Sequence, residues 1–135
     1  MNNRKTGSFY ENEAAVWLEK QGVKIVGRNF RCRIGEIDLI ARHQNYLVFI
    51  EVKYRRSLKS GYPIEAVTFS KQKNICMVAD IYRSQKKIPE HQPIRYDVIG
   101  ILDNKGIAGG TAGYGITDYE IIWYQNAFDH VMRGH

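Results

Sequence analysis

Hydrophobic and polar positions change period several times along the chain. Over residues 8–21, Ala14, Ala15 and Leu18 recur at helical spacing. Ser8 and Glu11 stand three apart, as in a capping box, and Gly22 follows the last turn, so the pattern predicts a first helix there. "VKIVGRNF" (23–30), "GEIDLIAR" (35–42) and "YLVFIEVKY" (46–54) are rich in β-branched and aromatic residues and read as strands. Residues 68–87 predict a second helix, with Thr68 as N-cap and Ile75, Val78, Ala79 and Tyr82 as its buried stripe; Pro89 and Pro93 lie beyond its end. "IRYDVIGIL" (94–102) and "TDYEIIWY" (117–124) read as a fourth and fifth strand. The glycine-rich stretch between them contains neither GxxxxGK[ST] nor GxGxxG, and it reads as a flexible loop at 104–116.

The order is α-β-β-β-α-β-β. Three strands joined by short links form an antiparallel meander. The second helix is long enough to return a parallel fourth strand. The expectation is a single α/β domain over residues 1–135, a mixed central sheet of about five strands flanked by helices. A chain of 135 residues with 44% hydrophobic content can bury a core of that size.

The third strand, "YLVFIEVKY", is apolar on both faces, as a strand covered on both sides would be. Glu51 and Lys53 nevertheless share one face at its end. Their environment depends on the preceding hairpin. A two-residue loop (Gln44-Asn45) or a four-residue loop pairs Arg42 with Leu47, which sets Asp38 against Glu51 and Glu36 against Lys53. An odd loop would put Asp38 and Glu51 on different faces. Two facing carboxylates repel unless a cation intervenes. Mg²⁺ suits them, with the Val52 carbonyl as a further oxygen ligand and Lys53 poised to orient water or offset transition-state charge. The competing reading is a solvated ion-pair patch.

Charge and targeting narrow the picture. The net charge of +6 favours a polyanionic partner, nucleic acid above all. Arg28, Arg31, Arg33, Arg42, Arg55 and Arg56 lie around the acidic cluster, where they would hold phosphates or form a scattered solvated surface. The N-terminal stretch has no apolar run suited to a signal peptide or membrane span. Cys32 and Cys76 form no CxxC or Cys/His cluster, so free thiols in a cytoplasmic protein with no membrane role are expected.

An acid on one strand followed by ExK on the next resembles the metal-binding signature of the PD-(D/E)XK nucleases. More narrowly, the chain resembles the YraN-like family of bacterial proteins. The matching segments are "ENEAAVWLEKQG" (11–22), "RNFRCRIGEIDLIAR" (28–42), "VFIEVKYR" (48–55), "AVTFSKQ" (66–72), "RYDVIGI" (95–101) and "NAF" (126–128). Two departures are Ile37, where the superfamily has proline, and Tyr10, where the family has glycine.

The resemblance implies a restriction-endonuclease-like three-layer fold and Mg²⁺- or Mn²⁺-dependent hydrolysis of phosphodiester bonds in DNA, including branched or structured DNA. It assigns metal binding to Asp38 and Glu51 and assistance to Lys53. Glu11 would complete the acidic site, the alternative being a capping role beside Ser8. Glu36 either touches metal or water, or pairs with Lys53. Lys71 and Gln72 match the family's "KQ" and would meet phosphate at a helix N-terminus, with Arg33 and Arg55 as further DNA contacts; a solvated first turn is the alternative. Asp97 is expected to pair with a neighbour such as Arg95. A homodimer is also implied, since a four-way junction needs two cuts. A non-catalytic nucleic-acid-binding module on the same fold is the alternative function.

Overall fold

A computed structural model describes residues 3–103 and 119–131. Helix α1 spans Asn3–Lys20 and α2 spans Phe69–Gln85; the strands are β1 (Lys24–Arg31), β2 (Glu36–His43), β3 (Tyr46–Arg55), β4 (Ile94–Asp103) and β5 (Tyr119–Phe128). The expected Gly-rich loop lies outside the described residues.

The sheet runs β1-β2-β3-β4-β5 in space. Its first three strands are antiparallel, β4 returns parallel to β3 after α2, and β5 closes antiparallel to β4. The α-β-β-β-α-β-β order and mixed sheet match the sequence-based expectation and are consistent with a restriction-endonuclease-like fold.

Each face of the sheet buries its own cluster. Ala14, Ala15 and Leu18 of α1 are fully buried in the cluster that contains Leu39, Ala41, Val48, Ile50, Ile99 and Ile101. Ile75, Val78, Ala79 and Tyr82 of α2 share the opposite cluster with Ile40, Leu47, Phe49 and Tyr96. The two-sided apolar pattern of β3 therefore serves two helical layers. No helix among the described residues is long and apolar enough to cross a membrane. Cys32 and Cys76 are both free.

Helix α1 begins five residues before the expected start, which places Ser8 inside the helix. Ser8 and Glu11 are thus i,i+3 neighbours on a continuous helix, and their spacing is not a capping box. The other end is as expected: Gly22 has φ +89°, and the Val23 N–H reaches the Leu18 carbonyl at 3.1 Å. Thr68 caps α2, its side chain accepting from the Lys71 N–H at 3.3 Å.

Two short 3₁₀ turns, Leu58–Ser60 and Pro63–Ala66, connect β3 to α2. Pro63 packs over Gly100, the β4 residue paired with Lys53 of β3. A Cβ on Gly100 would lie 2.9 Å from the Pro63 Cβ. Gly100→Ala is therefore expected to cost about 1–3 kcal/mol in chemical denaturation by overpacking a rigid ring. A loss below about 0.5 kcal/mol would show that the connection can lift without penalty.

Candidate functional site

The hairpin between β2 and β3 has the two-residue loop Gln44-Asn45, with Gln44 at φ +57°. Arg42 pairs with Leu47 and Ile40 with Phe49, the register that even parity requires. The described ladder ends at Leu39 opposite Ile50. Just beyond it, side-chain alternation in β2 breaks: Leu39 joins the cluster under α1, whereas Ile37 joins the one under α2. Asp38 sits at this break. Its Oδ2 accepts a 2.8 Å hydrogen bond from the Val52 N–H, and its side chain also hydrogen-bonds that of Glu51, although the ladder itself has ended.

Where the two strands part, a cleft of about 780 Å³ opens. Glu11 and Tyr10 of α1 line it, as do Glu36 and Asp38 of β2, Glu51 to Arg55 of β3, and Thr68, Ser70, Lys71 and Asn74 at the start of α2. The parting of β2 from β3 thus lets both helices reach one site. Asp38 and Glu51 are among the few buried charged residues described, at 9% and 6% exposure.

Glu51 is held by two ammonium groups. Lys53 Nζ and Lys71 Nζ each lie 3.2 Å from its Oε2. Burial and the adjacent Lys71 push Lys53 below its ordinary range, against the pull of Glu51. Burial raises the Asp38 carboxyl to about 8; the Glu51 charge adds to this, and the Val52 N–H opposes it. Glu11 is also raised, by burial and then by Glu36. Removal from water is the largest cause of both carboxyl shifts, with the neighbouring carboxylate second.

Sequence-predicted residues divide in this geometry. Asp38, Glu51, Lys53, Glu11, Glu36, Val52, Arg55 and Lys71 all line the cleft. Glu36 does not pair with Lys53, because the ladder has ended by then; its Oε2 lies 3.5 Å from Arg31 Nε. Val52 gives Asp38 its N–H. Gln72 turns away, donating from Nε2 to the Val67 carbonyl at 3.0 Å. Arg33 is exposed and lies off the cleft wall. Asp97 is fully buried on a different part of the sheet, where Arg95 grips it with two 2.9 Å hydrogen bonds. Sequence reasoning missed Tyr10 and Tyr54, stacked at 4.0 Å between centroids on the cleft wall, and Ser70 and Asn74 opposite. Only the helical spacing of Ser70, Lys71 and Asn74 pointed to one shared face at the start of α2.

The donor set fits a hard divalent cation. Asp38 and Glu51 offer neighbouring carboxyl oxygens, and Mg²⁺ needs only one or two carboxylates because it keeps several waters. Among the described residues no group of three His, Cys, Asp or Glu side chains is drawn together so as to hold a metal ion. An ion held by Asp38 and Glu51 would need water or substrate oxygens at its remaining positions.

The comparisons with known proteins bear on the whole arrangement. The model of a family described as "Uncharacterised protein family UPF0102" matches residues 10–101. A UPF0102 protein of Lachnoclostridium phytofermentans is 47% identical over 102 residues, covering 76% of this chain and 86% of its own. One from Caldicellulosiruptor saccharolyticus is 45% identical over 104 residues, covering 77% and 87%. One from Caldanaerobacter subterraneus is 45% identical over 104 residues, covering 77% and 84%. The matched region runs from Tyr10 on the cleft wall through Glu11, Asp38, Glu51, Lys53 and Lys71 to Ile101 in β4, and the chain belongs to the UPF0102 family, the YraN family.

Proposed function

We propose that this protein is a metal-dependent nuclease that hydrolyses phosphodiester bonds in DNA, with Mg²⁺ or Mn²⁺ as cofactor. One observation carries the reading: Asp38, Glu51, Lys53 and Lys71 converge in an open cleft at the point where two paired strands separate. Burying two neighbouring carboxyl groups raises the Asp38 carboxyl to about 8, a cost that a bound cation would relieve. The net charge of +6 favours a polyanionic substrate.

Asp38 and Glu51 would hold the cation. When bound, it supplies Lewis acidity toward the phosphoryl group. The Val52 N–H fixes the direction of the Asp38 carboxylate, which limits the reorganisation needed on binding. Lys53 Nζ, held 3.2 Å from Glu51, orients the attacking water and holds or accepts a proton. Lys71 Nζ approaches from the opposite layer and places positive charge beside the scissile phosphate. Glu11 completes the acidic rim from α1.

The test is a cleavage assay with purified protein on linear, nicked, flapped and four-way DNA, in Mg²⁺ and in Mn²⁺. Asp38→Ala and Lys53→Ala are expected to lower the cleavage rate by about 10²–10⁴-fold, the scale of losing a positioned charge or proton carrier. Cleavage that survives both substitutions would overturn the assignment. DNA bound tightly but never cut would leave a non-catalytic binding module on the same fold.

A further inference from the structure

The connection between β3 and α2 presents an unusual surface. From Arg55 at the end of β3 to Lys73 in α2, the chain carries five basic residues, Arg55, Arg56, Lys59, Lys71 and Lys73, and a single acidic one, Glu65. The Glu65 carboxylate is engaged locally, accepting from the Tyr62 N–H at 2.7 Å. Between the basic residues stand large exposed apolar side chains: Tyr62 is 50% and Phe69 64% exposed. Lys73 Nζ lies 5.8 Å from the centre of the Phe69 ring, adding a cation beside its face. The two rings are the most exposed of the large apolar side chains described.

The surface leads into the cleft. Pro63, next to Tyr62, is seated on Gly100 beside Lys53. Phe69 lies between Thr68 and Ser70, both on the cleft wall, and Arg55 and Ala66 line it too. Two accessible aromatic faces flanked on both sides by cations suit an unpaired strand, with phosphates on the cations and bases stacked on the rings. A continuous duplex keeps its base faces stacked inside and offers these rings nothing to stack on.

We propose that the Arg55–Lys73 segment, from the end of β3 into α2, is a track for single-stranded DNA leading to the cleft. Resting on the nuclease reading, this makes the substrate class DNA with an unpaired segment next to the scissile phosphate. Tyr62 and Phe69 stack on bases, and Arg56, Lys59 and Lys73 neutralise phosphates.

The experiment uses fluorescence anisotropy in EDTA, where cleavage does not interfere. The probes are a labelled oligothymidylate of about 20 nucleotides and a duplex of equal length, sized to exceed one single-strand footprint. Wild-type protein is expected to bind the single strand at least about tenfold more tightly. Tyr62→Ser/Phe69→Ser is expected to lose about 10–100-fold in single-strand affinity, as two stacked bases imply, with duplex affinity within about twofold. Arg56→Gln/Lys59→Gln is expected to lower the salt dependence by about one to two ions. Circular dichroism on every variant checks the fold, and both rings are already exposed. Equal affinity for the two probes, or an unchanged Tyr62→Ser/Phe69→Ser variant, would overturn the track. So would a variant that alters only the sedimentation coefficient, since the rings would then meet a second copy of the chain. Asp38→Ala separates the two proposals. If it binds the single strand normally and wild type cuts no DNA, the hydrolase reading alone fails. If wild type cuts duplex and flapped DNA alike, and the ring variant does the same, the track alone fails.

Discussion

Asp97→Ala is expected to lower the unfolding free energy by about 3–5 kcal/mol, as breaking a buried ion pair does. Asp97 is 0% exposed, and four hydrogen bonds surround its carboxylate. Arg95 donates from Nε and Nη2 at 2.9 Å each, Trp123 from Nε1 at 2.8 Å, and Asn126 from its backbone N–H at 2.9 Å. Removing the carboxylate leaves a guanidinium that is 6% exposed, an indole N–H and an amide without their acceptor. His43 Nδ1 at 3.0 Å and the Tyr46 ring at 5.1 Å keep Arg95 in place, so it cannot simply swing out to water. The loss corresponds to roughly 10–20 °C in thermal midpoint for a domain of this size. Pairing the change with Arg95→Met should recover part of it, because the stranded charge is removed together with its partner. A loss of under about 1 kcal/mol for Asp97→Ala would mean that water reaches the pocket.

The same residue shows how far sequence reasoning extends. The pairing of Asp97 with Arg95 follows from their i,i+2 placement on one strand face. The other two donors do not follow, because they depend on a bulge. Tyr96 pairs with Phe128 and Val98 with Tyr124, so β5 takes four steps where β4 takes two. Asn126 there adopts φ +52°, and its N–H reaches Asp97. Nothing in the alternation of "TDYEIIWY" marks that bulge, and β5 runs to Phe128, four residues beyond the expected end.

The cleft divides in the same way. The meeting of Asp38 with the Glu51 region was legible, because strand parity leaves only two choices and short hairpin loops favour one. The early end of the ladder was not, and with it went the expected pairing of Glu36 with Lys53. The link from Lys71 to Glu51 joins two elements across the sheet-helix packing, which local spacing cannot encode. The 3₁₀ turns have no periodic signature, so the surface carrying Tyr62 could be seen only in three dimensions. In α1, the i,i+3 spacing of a capping box also occurs everywhere inside a helix, and it shifted the expected start to Ser8.

Asp38→Asn is expected to be about as stable as wild type at pH 4 and increasingly more stable than it as pH rises to 8–9. The Asp38 carboxyl is raised to about 8 in the folded protein, first by burial and then by the Glu51 charge. The unfolded chain releases that proton near its ordinary value of about 3.9. Between those limits the folded state binds more protons than the unfolded state, so stability falls as pH rises. The contribution is fully present below the unfolded value and lost as pH climbs through the folded one. Glu11, also raised, tilts the wild-type profile in the same direction. An asparagine keeps an oxygen for the Val52 N–H and has no charge to bury. The measurement is urea denaturation of both proteins from pH 4 to pH 9 in EDTA, read as the difference between them. Parallel profiles would show that Asp38 ionises freely in the fold. Repeating the series with millimolar Mg²⁺ addresses the site itself. A cation held by Asp38 and Glu51 favours the ionised carboxylates, so it should raise the wild-type midpoint most at high pH and leave Asp38→Asn almost unmoved. An equal gain in both proteins would place any bound Mg²⁺ elsewhere, and the strained carboxylates would then need another account.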